Sequence, residues 1–160
     1  MNGTPVSEDP WVIRTDFAND KDWIAIKDLI AAPQHADGFE ALAYVEYVSD
    51  DTFSNLAAAE IVRKLPDTYP QFFCFVVDSH TLTNTEHPVL VVGFYPEGDA
   101  LDVDDFQRTP RQTPAAEIHT FRALPASVQS IENNLSIANM DFEDFADSVD
   151  ADGIFRRFTR

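Results

Sequence analysis

Apolar residues in this chain recur with two periods, and the change from one to the other predicts the order of elements. Residues 11–17, WVIRTDF, open with Val12 and Ile13 and leave through Thr15 and Asp16, which predicts a first strand. Asn19 and Asp20 then offer capping oxygens to a helix over 21–32, where Trp23, Ile26 and Ile30 recur at helical spacing and Pro33 stops the run. Residues 42–48, LAYVEYV, carry the Tyr and Val content of a second strand. Ser49, Asp50, Asp51 and Thr52 supply caps for a second helix with Leu56, Ala59, Val62 and Leu65 on one face and Pro66 after it.

Two later segments, 71–77 and 88–95, are apolar on both faces and predict central strands. Residues 78–87 between them are too few for a crossover helix and its turns, so these strands are expected to be antiparallel neighbours. Residues 118–124 make a fifth strand, placed at an edge. Helices are expected over 125–139, with Pro125 at the first helical position, and over 141–151, with Gly153 as the C-terminal cap. In the last helix Phe142, Phe145 and Val149 face inward, and Asp141, Glu143, Asp144, Asp147 and Asp150 face mostly outward.

The order is β-α-β-α-β-β-β-α-α. Right-handed crossovers between the first three strands imply an α/β fold: one domain with a mixed, mostly parallel five-stranded sheet covered by helices on both faces. That domain spans 11–158, after a loose arm (1–10) and before a short tail (159–160). Within it, residues 97–117 change to Pro, Asp, Gln and Thr without an apolar period, as a disordered or solvated excursion, or a lid over a site, would.

Charge narrows the partners. A formal net charge of −17 repels phosphate backbones and anionic headgroups, so neither nucleic acid nor a membrane surface is expected. Hydrophobic residues at 44%, including 13 Phe, set the chain apart from disordered sequences. Arg156, Arg157 and Arg160 crowd the end of the chain, where a solvated terminus is the expectation. The lone Cys74 lies in an apolar strand, which excludes an internal disulfide and disfavours a reactive thiol. The first residues lack a basic start and an apolar stretch, so a cytoplasmic location is expected.

Ligands of open parallel sheets bind beyond the carboxyl ends of the strands. Here those exits are Thr15 and Asp16, then Ser49, Asp50 and Asp51, then Asp78, Ser79 and His80. Capping and turn formation account for these residue types without a metal, and ligand spacing for zinc or iron is lacking. An acid–base site is the alternative, with Asp16, Asp78 and His80 as catalytic candidates and His119 as a second proton carrier. His35 and His87 border loops and are expected to be exposed. Arg14, Tyr47, Asn133 and Asn134 are the candidate substrate-binding residues; Arg14 would orient a substrate carboxylate or pair with a neighbouring acid. Paired asparagines inside a helix point either to ligand contacts or to buried hydrogen bonds, and the second is favoured.

The segments WVIRTDF, VEYVSDDTF, HPVLVVGFY and NNLSIANMDFEDFAD resemble a family of small acidic α/β proteins known only as a domain of unknown function. The resemblance implies one genuine domain and carries no activity, cofactor or catalytic residue with it. Concentrated negative charge without a complete catalytic constellation favours a binding or protein-interaction module, with a protein or small-molecule partner and no cofactor. The competing class is a small cofactor-free enzyme, an isomerase, cyclase or lyase, working in an aromatic-lined pocket.

Overall fold

A computed structural model describes residues 8–36, 38–94 and 114–158. Residues 1–7 of the expected arm, residues 97–113 of the expected loop and the tail at 159–160 lie outside the described residues.

The first strand, β1, is Trp11–Arg14. Helix α1, Asp20–Ala31, follows, and the Asn19 side chain caps it by accepting from the N–H groups of Lys21 and Asp22. Its inward stripe is Trp23, Ile26 and Ile30, as the periodicity predicts. Beyond Pro33 comes an unanticipated feature, the antiparallel hairpin of β2, Gln34–Ala36, and β3, Phe39–Ala41. Gly38 sits in its turn with φ +83°, a conformation that a side chain would strain. The next strand, β4, is Glu46–Val48, shorter than the expected 42–48 run.

Asp50 accepts from Thr52 N–H and caps a short 3-10 turn, Asp51–Phe53, rather than the helix expected there. Helix α2, Ala58–Lys64, starts later; it buries Ile61 and Val62, and Leu65 beside them is also buried. Strand β5, Phe73–Val77, is buried at every position. A one-turn helix, α3, Ser79–Thr83, fits between it and β6, Val89–Gly93. Strand β7 is His119–Ala123, and a 3-10 turn at Pro125–Ser127 leads into α4, Val128–Ser136. Helix α5 is Phe142–Ala146 and ends well before the expected residue 151. The chain turns there instead. Gly153, at φ +82°, caps no helix but opens a final strand, β8, Ile154–Phe155.

The main sheet has six strands in the order β4-β1-β5-β6-β7-β8. β4 and β5 both run parallel to β1, β6 is antiparallel to β5 and to β7, and β8 is parallel to β7. The expected mixed sheet with its parallel trio is present, with one strand more. Strand β7 is therefore flanked on both sides and is not an edge.

Alternation along the strands divides the core in two. Val12, Phe73, Phe75, Val77, Val89, Val91 and Phe121 face α1, α4 and α5. Ile13, Cys74, Val76 and Val92 face α2. Helices α1 and α2 thus cover opposite faces. The chain steps from β1 outward to β4 over one face and back past β1 to β5 over the other, so the two crossovers share one hand. Among the described residues, no helix is long and apolar enough to cross a membrane.

Candidate functional site

Strand order reverses at β1, and in an open α/β sheet the crevice at such a reversal is the default place for a ligand. The register of Ile13 with Val48 and of Arg14 with Val77 brings three strand exits to one rim: Asp16, Asp50 and Asp78. The chain itself closes over part of this rim. The Thr15 N–H donates to Val77 O at 3.0 Å, and the N–H of Asn55, held at φ +60°, donates to Thr15 O at 2.9 Å.

Arg14 is buried, and each of its three guanidinium nitrogens donates within the fold. Its Nε donates to Asp16 O (3.0 Å), Nη1 to Ser49 Oγ (3.3 Å) and Nη2 to Asp20 Oδ1 (2.8 Å). Its flat face lies over the Phe17 ring at 4.5 Å and near that of Trp23 at 5.7 Å. A single side chain therefore joins the exits of β1 and β4 to the start of α1.

Asp78 is equally committed. It accepts two hydrogen bonds from Arg122, Nη1 to Oδ1 at 2.9 Å and Nη2 to Oδ2 at 2.8 Å, the paired geometry that fixes a carboxylate in position. The N–H and hydroxyl of Thr81 also donate to it, at 3.1 and 3.0 Å, so that it caps α3. Burial pushes its pKa up, but the bonds from Arg122 and Thr81 outweigh this and hold it below the ordinary aspartate value. Asp78 is thus an ionised anchor.

Asp16 is half-buried and accepts from Ala18 N–H at 2.9 Å, closing a local turn. His80 is exposed on α3. Arg14, Asp16, Asp78 and His80 thus lie at, or just beyond, the ends of the adjacent strands β1 and β5. The remaining candidates lie elsewhere. Tyr47 in β4 meets the edge of Trp23, ring centroids 6.2 Å apart, and burial followed by the nearby Asp28 charge raises its pKa. Asn133 Nδ2 donates to Leu42 O (3.0 Å), and Asn134 Nδ2 to Ser130 O (2.8 Å). Both asparagines thus bond within the chain, but the expected buried ties to the sheet are not what they make: the Asn133 bond is exposed and the Asn134 bond stays within α4, because both side chains are only half-buried. Leu42 precedes β4, so this contact lies toward the strand's amino end, away from the rim.

Of the other histidines, His119 is exposed, with Nδ1 3.8 Å from Glu143 Oε1. His35 is exposed as expected, whereas His87 is half-buried, with Nδ1 3.0 Å from Thr81 O.

Three further charged residues organise the surroundings, of which pattern reading passes over Arg122 and Glu132. Arg122 is the partner of Asp78. Glu132 is buried in α4: its Oε1 accepts from Tyr44 N–H and Asn133 Nδ2, both at 2.7 Å, and its Oε2 from Ser136 Oγ at 2.8 Å. Its position was legible, because 132 falls on the stripe of Val128, Ile131 and Leu135. Arg156 departs from the expected solvated terminus. It grips Glu86 (2.6 Å), Asp150 (2.7 Å) and Asp152 (2.7 Å), which raises its own pKa and lowers those of Glu86 and Asp152.

A family model described as a domain of unknown function (DUF6924) matches residues 9–158. No curated protein and no solved structure matches the chain.

Proposed function

This chain belongs to that family, DUF6924, whose description names no activity, and from that premise we propose that it is a cytoplasmic interaction module for a partner with a basic surface. The observation that carries the reading is how the charges are deployed. Arg14, Arg122 and Arg156 hold Asp20, Asp78, and the trio of Glu86, Asp150 and Asp152, all within the domain. Asp141, Asp144 and Asp147 meanwhile stand exposed on and beside α5, opposite the buried Phe145. Exposed like charges on one helix repel one another, and a cationic partner relieves that repulsion while gaining speed of encounter.

The test is a salt titration of binding to an arginine-rich peptide by calorimetry. Affinity is expected to fall as salt rises, with a shallower slope for Asp141→Asn/Asp144→Asn/Asp147→Asn, whose amides keep the cap acceptors. Binding that ignores both salt and these substitutions would refute the reading.

A cofactor-free acid–base enzyme is the second reading, favoured by Asp16 and His80 on one rim. Arg14 and Asp78 already hold internal partners, which ranks it lower. A small-molecule thermal-shift screen in which stabilisation is lost in Asp16→Asn and His80→Ala would reverse that ranking.

A further inference from the structure

The chain from Glu40 to Glu46 is extended and alternates in exposure. Ala41, Ala43 and Val45 turn partly inward, whereas Glu40, Leu42, Tyr44 and Glu46 form a row facing solvent. Leu42 is 38% exposed and Tyr44 59%, so two apolar side chains stand open between two carboxylates. Side chains of α4 pin this row from behind: Asn133 Nδ2 donates to Leu42 O, and Glu132 Oε1 accepts from Tyr44 N–H. Ile137, four residues beyond Asn133 at the end of α4, is 74% exposed. Phe39 in β3, three residues before Leu42, is 77% exposed.

We propose that Leu42, Tyr44 and Ile137 form the apolar anchor of a docking surface, rimmed by Glu40, Glu46 and the α5 aspartates, for a partner segment carrying apolar side chains flanked by arginine or lysine. This rests on the basic-partner reading above and names where that partner seats. Charge selects the occupant. Glu40 and Glu46 flank Leu42 and Tyr44 on a chain of net charge −17, so a cationic flank is attracted while a second copy of this chain is repelled. An open tyrosine and aliphatic pair inside a polar rim is also the arrangement in which few residues dominate binding. The pinned backbone adds to this, because a row that is already ordered loses little freedom on docking.

The probes are two fluorescent peptides, one alternating arginine with leucine and one alternating arginine with serine. Their anisotropy is read against the wild-type protein and against Leu42→Ser/Tyr44→Ser. The wild type is expected to bind the leucine peptide at least about tenfold more tightly than the serine peptide, and the double variant to lose that preference while binding the serine peptide unchanged. Both side chains are exposed, so the variant should fold; photo-crosslinking of the leucine peptide to the wild type supplies a check that needs no substitution, with labels expected at Tyr44 or Ile137.

If wild type and variant bind both peptides equally, this anchor is overturned and the acidic-module reading stands. If neither peptide binds, both fall. Concentration-dependent dimerisation of the wild type that the double variant abolishes would assign the surface to a second copy and overturn the proposal.

Discussion

Glu132 in α4 accepts the backbone N–H of Tyr44 at 2.7 Å, joining residues 88 apart in sequence. Together with the amide of Asn133 on Leu42 O, it serves residues 42–44 in the way a neighbouring strand would, offering one acceptor and one donor to an extended backbone. The segment is therefore ordered without belonging to the sheet.

That arrangement predicts an unequal pair of substitutions. Glu132→Gln keeps an oxygen for Tyr44 and turns its amide toward Ser136, whose hydroxyl can accept, so it should cost under about 1 kcal/mol. Glu132→Leu leaves the Tyr44 N–H and one of the two Asn133 amide hydrogens without their acceptor, and should cost about 1–3 kcal/mol. Urea denaturation checks both values. Faster hydrogen exchange at the Tyr44 amide, in the leucine variant alone, checks the cause.

The pair formed by Asp78 and Arg122 should be visible in the acid limb of stability. The native Asp78 carboxyl lies below its ordinary value of 3.8, so its contribution is fully present above that pH and is lost as pH falls through the lower native value. Arg122→Met is expected to lower neutral-pH stability by about 1.5–3 kcal/mol, the range for hydrogen bonds to charged groups. The gap to wild type should hold steady above pH 3.8 and close below it. Denaturant midpoints measured across that range decide the matter.

Burial in β5 pushes the Cys74 thiol up to about 12 from its ordinary 9.0. Thiolate is the reactive form, so near neutral pH its population is lowered by about a thousandfold. Iodoacetamide should therefore label Cys74 at least that much more slowly in the folded protein than in urea. Rapid native labelling would contradict the packing of β5.

Gly93 ends β6 where a methyl group would meet the Phe142 ring at 2.7 Å, and that ring is already packed on Phe121 with centroids 5.0 Å apart. Gly93→Ala is expected to destabilise by about 1–3 kcal/mol through overpacking. Adding Phe142→Leu should recover part of the loss, a coupling that thermal melts of the double variant would measure.

Much of the frame was legible because it rests on strong periodic signals. Trp23, Ile26 and Ile30 announced α1, and Asn19 its start; the doubly apolar runs announced β5 and β6, and the short link between them their antiparallel pairing. What escaped had weak local signal. The β2–β3 hairpin is short and mostly exposed, so no burial pattern marks it. Strand β8 has only Ile154 and Phe155, and its existence depends on pairing with Arg122 and Ala123, which no local window contains. The cap at Asp50 was real but served a 3-10 turn, because cap chemistry does not report the length of what it starts. At the rim, the placing of Asp16 and Asp78 at the same end of the sheet followed from strand order, whereas the engagement of Asp78 by Arg122 required knowing that β7 lies one strand beyond β6 from β5.

The place of β1 between β4 and β5 governs when this domain can assemble. Both neighbours are encoded downstream, so during synthesis Val12 and Ile13 emerge with nothing to pair against until Val48 is made, and the other side of β1 stays open until residue 77 is available. A nascent chain stopped before β5 therefore displays an unsatisfied apolar strand, and folding must wait for contacts distant in sequence rather than proceed from the amino terminus onward.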